Sequence, residues 1–257
     1  MTLNHATKTE LAKTDLAPDG TSLTDTQESS EFLAFPLTPG QAAMWRADRN
    51  WPGCSLYNAS FRWSLTGPLD RVILERSFNE ILRRHESLRA SFHPGEAGPV
   101  QLIAPVLEIK IAVEDLRFLE DAQRDAEMDR ICTVEAKRSF DLLTAPLIRV
   151  GLLRMEDERY VLTLTLHHIV IDGWSVSLLM EELQAIYTAF ARSEESPLPE
   201  PAIQFGDYVI WHEQWIAAPE IRQQLDYWKK KLEGYRRLEV ASDFPRTAER
   251  PRSESVV

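Results

Sequence analysis

Tyr160-Val161-Leu162-Thr163-Leu164-Thr165-Leu166-His167-His168-Ile169-Val170-Ile171-Asp172-Gly173-Trp174-Ser175 is the stretch whose reading decides the fold. From Tyr160 to Leu166 it alternates. Tyr160, Leu162, Leu164 and Leu166 share one face, and Val161, Thr163 and Thr165 share the other, as a half-buried strand requires. If the strand continues through them, His167 and His168 point to opposite sides. One ring is then available for packing and the other for a cavity. From Ser175 to Ala191 the period changes to that of a helix, with Val176, Leu179, Met180, Leu183, Ile186, Tyr187 and Phe190 on its apolar side. The histidine pair thus sits on a strand-to-helix turn, where a side chain can be aimed rigidly. Gly173 is expected to take a tight backbone conformation there.

The residue types suit proton chemistry. Imidazole titrates near pH 6.5 when unperturbed, so it can accept or share a proton near neutrality. Asp172, four residues beyond His168, can lie against an arginine or a ring nitrogen. Two histidines and an aspartate also supply three metal ligands, but adjacent histidines on a strand diverge, which argues against a metal. Read alone, the pair is two packed core histidines, and only its neighbours raise it above that.

Composition narrows the function. The chain has 257 residues, 44% of them hydrophobic, enough for a sizeable core. A net charge of −11 argues against a nucleic-acid partner. The two cysteines, Cys54 and Cys132, lack metal spacing and fit a reducing, cytoplasmic setting. No apolar run approaches the roughly 20 residues of a membrane span.

Residues 1–33 are rich in Thr, Ser, Asp and Glu and read as a disordered tail. Thr38, Pro39 and Gln41 form a helix start with a capping box. Leu56 to Gly67 alternates as a strand, and Asp70 to Arg84 is an amphipathic helix. Further strands are expected near Leu88 to Phe92, at Val100 to Ile103 and at Ile109 to Val113. A charged helix spans Glu120 to Arg138. Ile148 to Met155 is the hairpin partner of the histidine strand. Arg149 on it is expected to reach Asp172 and hold the turn by an ion pair. Helices follow from Phe205 and from Glu220, the second with Leu225, Trp228 and Leu232 inward. Residues 34–240 form the ordered unit, and 241–257, rich in Pro, Arg and Ser, a connector or tail. The mixture of local hairpins and helices gives an α/β (α+β) two-layer sandwich.

The run His167-His168-Ile169-Val170-Ile171-Asp172-Gly173 resembles the core motif of nonribosomal peptide synthetase condensation domains, within the chloramphenicol acetyltransferase-like superfamily. Three more segments resemble motifs of that family in its order: Leu37 to Trp45, Arg84 to Phe92, and Phe205 to Trp211. The resemblance covers an N-terminal lobe only. It implies a mixed, largely antiparallel sheet covered by helices, and amide-bond formation between a carrier-bound donor thioester and an acceptor amine. His168 becomes the expected catalytic residue, with His167, Asp172, Gly173 and Arg149 in support. Trp174 and Ser175 are placed within reach of the substrate channel, although an aromatic beside a helix start otherwise reads as core and a serine there as a cap. Arg84, His85, Glu86 and Arg89 read as a buried polar cluster, and Asp207, Tyr208 and Trp211 as helix packing. No tightly bound cofactor is implied; 4'-phosphopantetheine arms would arrive on peptidyl or acyl carrier proteins. A separate C-terminal lobe or a second copy would complete the tunnel. The alternatives are a non-catalytic half-domain that binds a carrier protein or partner, and an ester-forming acyltransferase of the same superfamily.

Overall fold

A computed structural model describes residues 32–236 and Leu238 of the protein. Of the expected tail, residues 1–31 lie outside the described residues, as does the whole of 241–257. In chain order the elements are β1 (Leu33–Pro36), α1 (Pro39–Asn50), β2 (Asn58–Thr66), α2 (Arg71–Arg84), a 3-10 turn at Glu86–Arg89, β3 (Ala90–His93) and β4 (Val100–Ile103). β5 (Ala112–Asp115), α3 (Asp121–Lys137), β6 (Ile148–Glu156), β7 (Arg159–His167), α4 (Gly173–Ala191), α5 (Phe205–Ala217) and α6 (Pro219–Lys231) follow.

Two sheets form. The larger has the order β2-β7-β6-β5, antiparallel except for the parallel β5–β6 pair. The smaller, β1-β4-β3, is antiparallel. Alternation in the sequence becomes a division of faces. Leu162, Leu164 and Leu166 of β7 pack with Val150 and Leu152 of β6 beneath Phe78 and Ile81 of α2 and Leu179, Leu183 and Ile186 of α4. On the other face, Val161, Leu153 and Met155 meet Ile131 of α3. Each fully buried aliphatic or aromatic side chain contributes roughly 1.5–3 kcal/mol, so this sheet anchors whatever is attached to its ends.

Polar groups fasten the helices. Asp70 caps α2 through the N–H groups of Val72 and Ile73. The buried Arg89 guanidinium closes the other end of α2 by donating to the carbonyls of Leu82 and Arg83. Glu182 of α4 accepts from Arg84 (3.2 Å) and lies 2.8 Å from His85 Nε2, tying α2 to α4; of the four residues of the expected buried cluster, Arg84 and Arg89 are buried and His85 and Glu86 are half-buried. Thr38 and Gln41 form the expected capping box at α1.

Two expectations fail. The strand expected at Ile109 to Val113 starts only at Ala112. Before it, α2 side chains satisfy the backbone instead: Asn79 Oδ1 accepts from Ile109 N–H at 2.8 Å and Glu75 Oε2 from Ile111 N–H at 3.0 Å. Leu225, Trp228 and Leu232 do not point inward; they are exposed, and α6 buries none of its residues. Periodicity shows that a helix has an apolar face, but not what covers it.

The small sheet and α5 are keyed by Gly206. A Cβ added there would lie 2.5–2.8 Å from the ring of Phe35 on β1, too close to fit. Gly206→Ala should therefore lower stability by about 1–3 kcal/mol in urea denaturation, with Phe35→Leu in the same chain recovering part of the loss. An unchanged midpoint in Gly206→Ala would show that α5 does not rest on Phe35.

Candidate functional site

β7 delivers the two histidines into different surroundings. His167 N–H donates to Leu147 O (3.0 Å), and His168 N–H donates to Tyr57 O on the opposite side (2.8 Å). The chain then turns, with Val170 N–H donating back to His167 O (3.1 Å). The His167 side chain is 3% exposed, while His168 stands in solvent. The expected divergence is therefore realised.

The buried ring has a specific task. His167 Nδ1 accepts from Ile169 N–H at 3.1 Å, which requires that nitrogen to carry no proton. The ring lies between Tyr57 and the edge of Phe140, 6.0 and 6.2 Å away between centroids. Burial, reinforced by the charge of His168, pulls its pKa down to about 4. Gln41 of α1 donates through Nε2 to Ile169 O (3.2 Å), so α1 grips the same turn. Only the capping box of Gln41 is legible in the sequence; its reach across 128 residues is not.

Asp172 closes the motif as the N-cap of α4. Its Oδ1 accepts from Ser175 N–H (2.8 Å) and from Ser175 Oγ (2.6 Å). Those two bonds, the hydroxyl first, hold its carboxyl below the ordinary range, and His168 acts in the same direction. The cap is thus Asp172, not Ser175, whose hydroxyl serves the carboxylate. Gly173 is an ordinary first helical residue: its φ is not positive, and a Cβ there would meet nothing within 4 Å. The expected tight conformation is absent, because the cap makes the turn. Trp174 is 86% exposed rather than core.

Arg149 does not reach Asp172. It pairs with Glu135 of α3 (Nε to Oε2, 3.0 Å) and donates to the carbonyls of Glu135 and Arg138 (3.0 and 2.6 Å). Its guanidinium sits 3.8 Å over Phe140, whose ring edge meets His167. The reason is register. Arg149 is opposite Thr165 and so lies on the α3 face with His167, while Asp172 is beyond the turn at the start of α4. Arg149 supports the motif through His167. Its burial draws the guanidinium below its usual range.

Beside Asp172 an open groove of about 720 Å³ runs between the start of α1, at Pro39 and Gly40, and the rings of Phe205, Tyr208 and His212 on α5. Asp207 caps α5 by accepting from Gln204 N–H (2.9 Å), but Tyr208 and Trp211 are 41% and 46% exposed, not packed as expected. Both cysteines are free. Among the described residues no helix is long and apolar enough to cross a membrane.

A family model described as the condensation domain matches residues 34–257. The chain belongs to the condensation-domain family. It is 39% identical over 214 residues to chondramide synthase cmdD of Chondromyces crocatus, covering 83% of this chain and 6% of that protein. It is 33% identical over 232 residues to malpinin synthetase of Mortierella alpina, covering 86% of this chain and 3% of that protein. Among solved structures, the starter condensation domain of rhizomide synthetase RzmA shares the fold with a TM-score of 0.71 at 19% identity, covering 79% of this chain and 48% of that one. The chain therefore spans a few per cent of these two synthetases and about half of the solved domain.

Two measurements check this geometry. The His167 pKa is depressed, so between about pH 6.5 and 4 the unfolded chain binds a proton that the folded chain refuses. Stability should fall as pH drops through that window, by about 3 kcal/mol in all. His167→Gln, which keeps an acceptor, should lose this part of the pH dependence in denaturation midpoints; an equal slope in both proteins would contradict the assignment. In a double-mutant cycle, Arg149→Met and Asp172→Asn should add to within about 0.5 kcal/mol, whereas Arg149→Met and Glu135→Gln should couple by more than that. Strong coupling of Arg149 to Asp172 would restore the ion pair that the register denies.

Proposed function

We propose that this domain joins two carrier-bound acyl groups through an amide bond, with His168 acting on the attacking amine. The observation that carries the reading is the contrast between the two rings: His167 is consumed in holding the turn, so His168 is left in solvent on a fixed backbone. The family membership supports the same reaction.

In this reaction the acceptor amine nitrogen attacks the carbonyl carbon of the donor thioester. A C–N bond forms, the C–S bond breaks, the amine loses one proton and the thiolate gains one. His168 is suited to receive that proton or to hold the amine by a hydrogen bond during attack. Asp172 contributes by fixing the start of α4, and Arg149 by backing His167 through Phe140. The 4'-phosphopantetheine arms belong to the substrates and would arrive on carrier proteins. Their thioesters supply the activated acyl group.

A second half of the active site fits the same reading. Trp211 and Trp215 of α5 are stacked 5.9 Å apart and half exposed, and Leu225 and Trp228 of the following helix, α6, are exposed as well. Apolar surface of this kind marks a face that another body covers. A C-terminal lobe or a second copy would serve.

The test is product formation from donor- and acceptor-loaded carrier proteins, with the complementary half supplied, comparing the native sequence with His168→Ala. The proposal expects at least a loss of about a hundredfold in amide product in the variant, the usual scale of a lost acid–base group. Equal product from both, or product only with a free alcohol acceptor, would overturn it; the first leaves a carrier-binding module and the second an ester-forming acyltransferase.

A further inference from the structure

We infer that the groove between α1 and α5 is a side-chain pocket that selects an uncharged aromatic residue on one of the two acyl substrates, with Tyr208 as its specificity-determining side chain. The inference rests on the proposed condensation reaction for its substrate class, but on separate residues for its chemistry.

The groove touches the histidine motif at one residue, Asp172, and His168 is not in its wall. It therefore suits a part of the substrate beside the reacting atoms rather than the reacting atoms themselves. Its volume, about 720 Å³, lies within the usual range for small-molecule sites, so a side chain and part of its tether can enter. The α5 wall is a ladder of rings. Phe205 and Tyr208 are 5.7 Å apart and tilted by 36°, and Tyr208 and His212 are 5.4 Å apart and stacked at 30°. Tyr208 is 41% exposed although it is flanked by rings on both sides along the helix, so its free surface faces outward from a preformed stack. On the opposite wall, Pro39 offers an apolar ring edge and Gly40 no side chain at all; a Cβ at Gly40 would meet only Thr38 Oγ1, at 4.0 Å.

Charge decides which flat ligand. Among the described residues no lysine or arginine lines the groove, and its one fixed charge is Asp172. That carboxylate already accepts two hydrogen bonds from Ser175 and lies at the N-terminus of α4, so it is compensated within the protein. The carboxylate keeps its charge and so disfavours a second carboxylate beside it, while a neutral ring gains the stacking contact. The wall is also rigid: Gly206 seats α5 on Phe35, and Gln41 fastens α1 to the histidine turn.

Binding tests this without requiring turnover. Stable pantetheine amides of phenylalanine, leucine, lysine and glutamate are titrated into the full chain, and amide shifts of Gly40, Asp172 and Tyr208 are followed by NMR. The phenylalanyl probe should bind several-fold more tightly than the leucyl one and about tenfold more tightly than the glutamyl one, the scale of one aromatic contact. Tyr208→Ala should reduce the phenylalanyl probe to the leucyl level, and Tyr208→Phe should keep the preference. Equal binding of all four probes, tightest binding by the lysyl probe, or shifts confined to other surfaces would each overturn the inference. A ring preference that persists where no amide product forms sinks the catalytic reading alone, and product without a ring preference sinks this inference alone.

Discussion

The bond from Ile169 N–H to His167 Nδ1 is the constraint on which the rest of the site depends. It forces a buried imidazole to stay neutral, because a protonated ring would have two donors facing one another and an uncompensated charge in an apolar setting. With that bond made, the residue between the partners has no freedom of its own. His168 is held at its backbone by Tyr57 O and at its following residue by the His167 ring. The side chain that faces solvent is thus carried by a turn fastened on both sides of it.

Around this bond the protein builds three supports from distant parts of the chain. α1 supplies Gln41 to Ile169 O, α4 supplies the Asp172 cap, and the loop after α3 supplies Phe140, itself covered by Arg149. Each support uses a group that would otherwise need a partner: a capping-box amide, a helix terminus, a half-buried guanidinium. Their convergence joins the Leu37–Trp45 segment and the histidine motif in one site. The small sheet, through Phe35 and Gly206, sets the position of α5 and so the far wall of the groove.

Much of this is legible in the sequence. The alternation from Tyr160 to Leu166 decides which side each histidine takes, and Thr38 with Gln41 marks the start of α1 correctly. What is not legible depends on tertiary contacts. Proximity along the hairpin suggests that Arg149 meets Asp172, but the pleat sends it to the α3 face, where Glu135 and two carbonyls compete successfully for it. Gly173 has the look of a backbone device, whereas the Asp172 side chain makes the turn and leaves the glycine ordinary. The exposed faces of α5 and α6 have the pattern of buried helices, because pattern records a surface that needs covering rather than one already covered. The segment from Ile109 to Ile111 has the composition of a strand, and its backbone is indeed satisfied, but by Asn79 and Glu75.

The division of labour between the two rings is most directly measured by following the imidazole nitrogens of His167 and His168 by 15N NMR during a pH titration. The account predicts that His167 stays neutral, with its proton on Nε2 and Nδ1 as acceptor, until the pH approaches about 4. A His167 ring that titrates near its ordinary pKa of about 6.5, or that carries its proton on Nδ1, would contradict it.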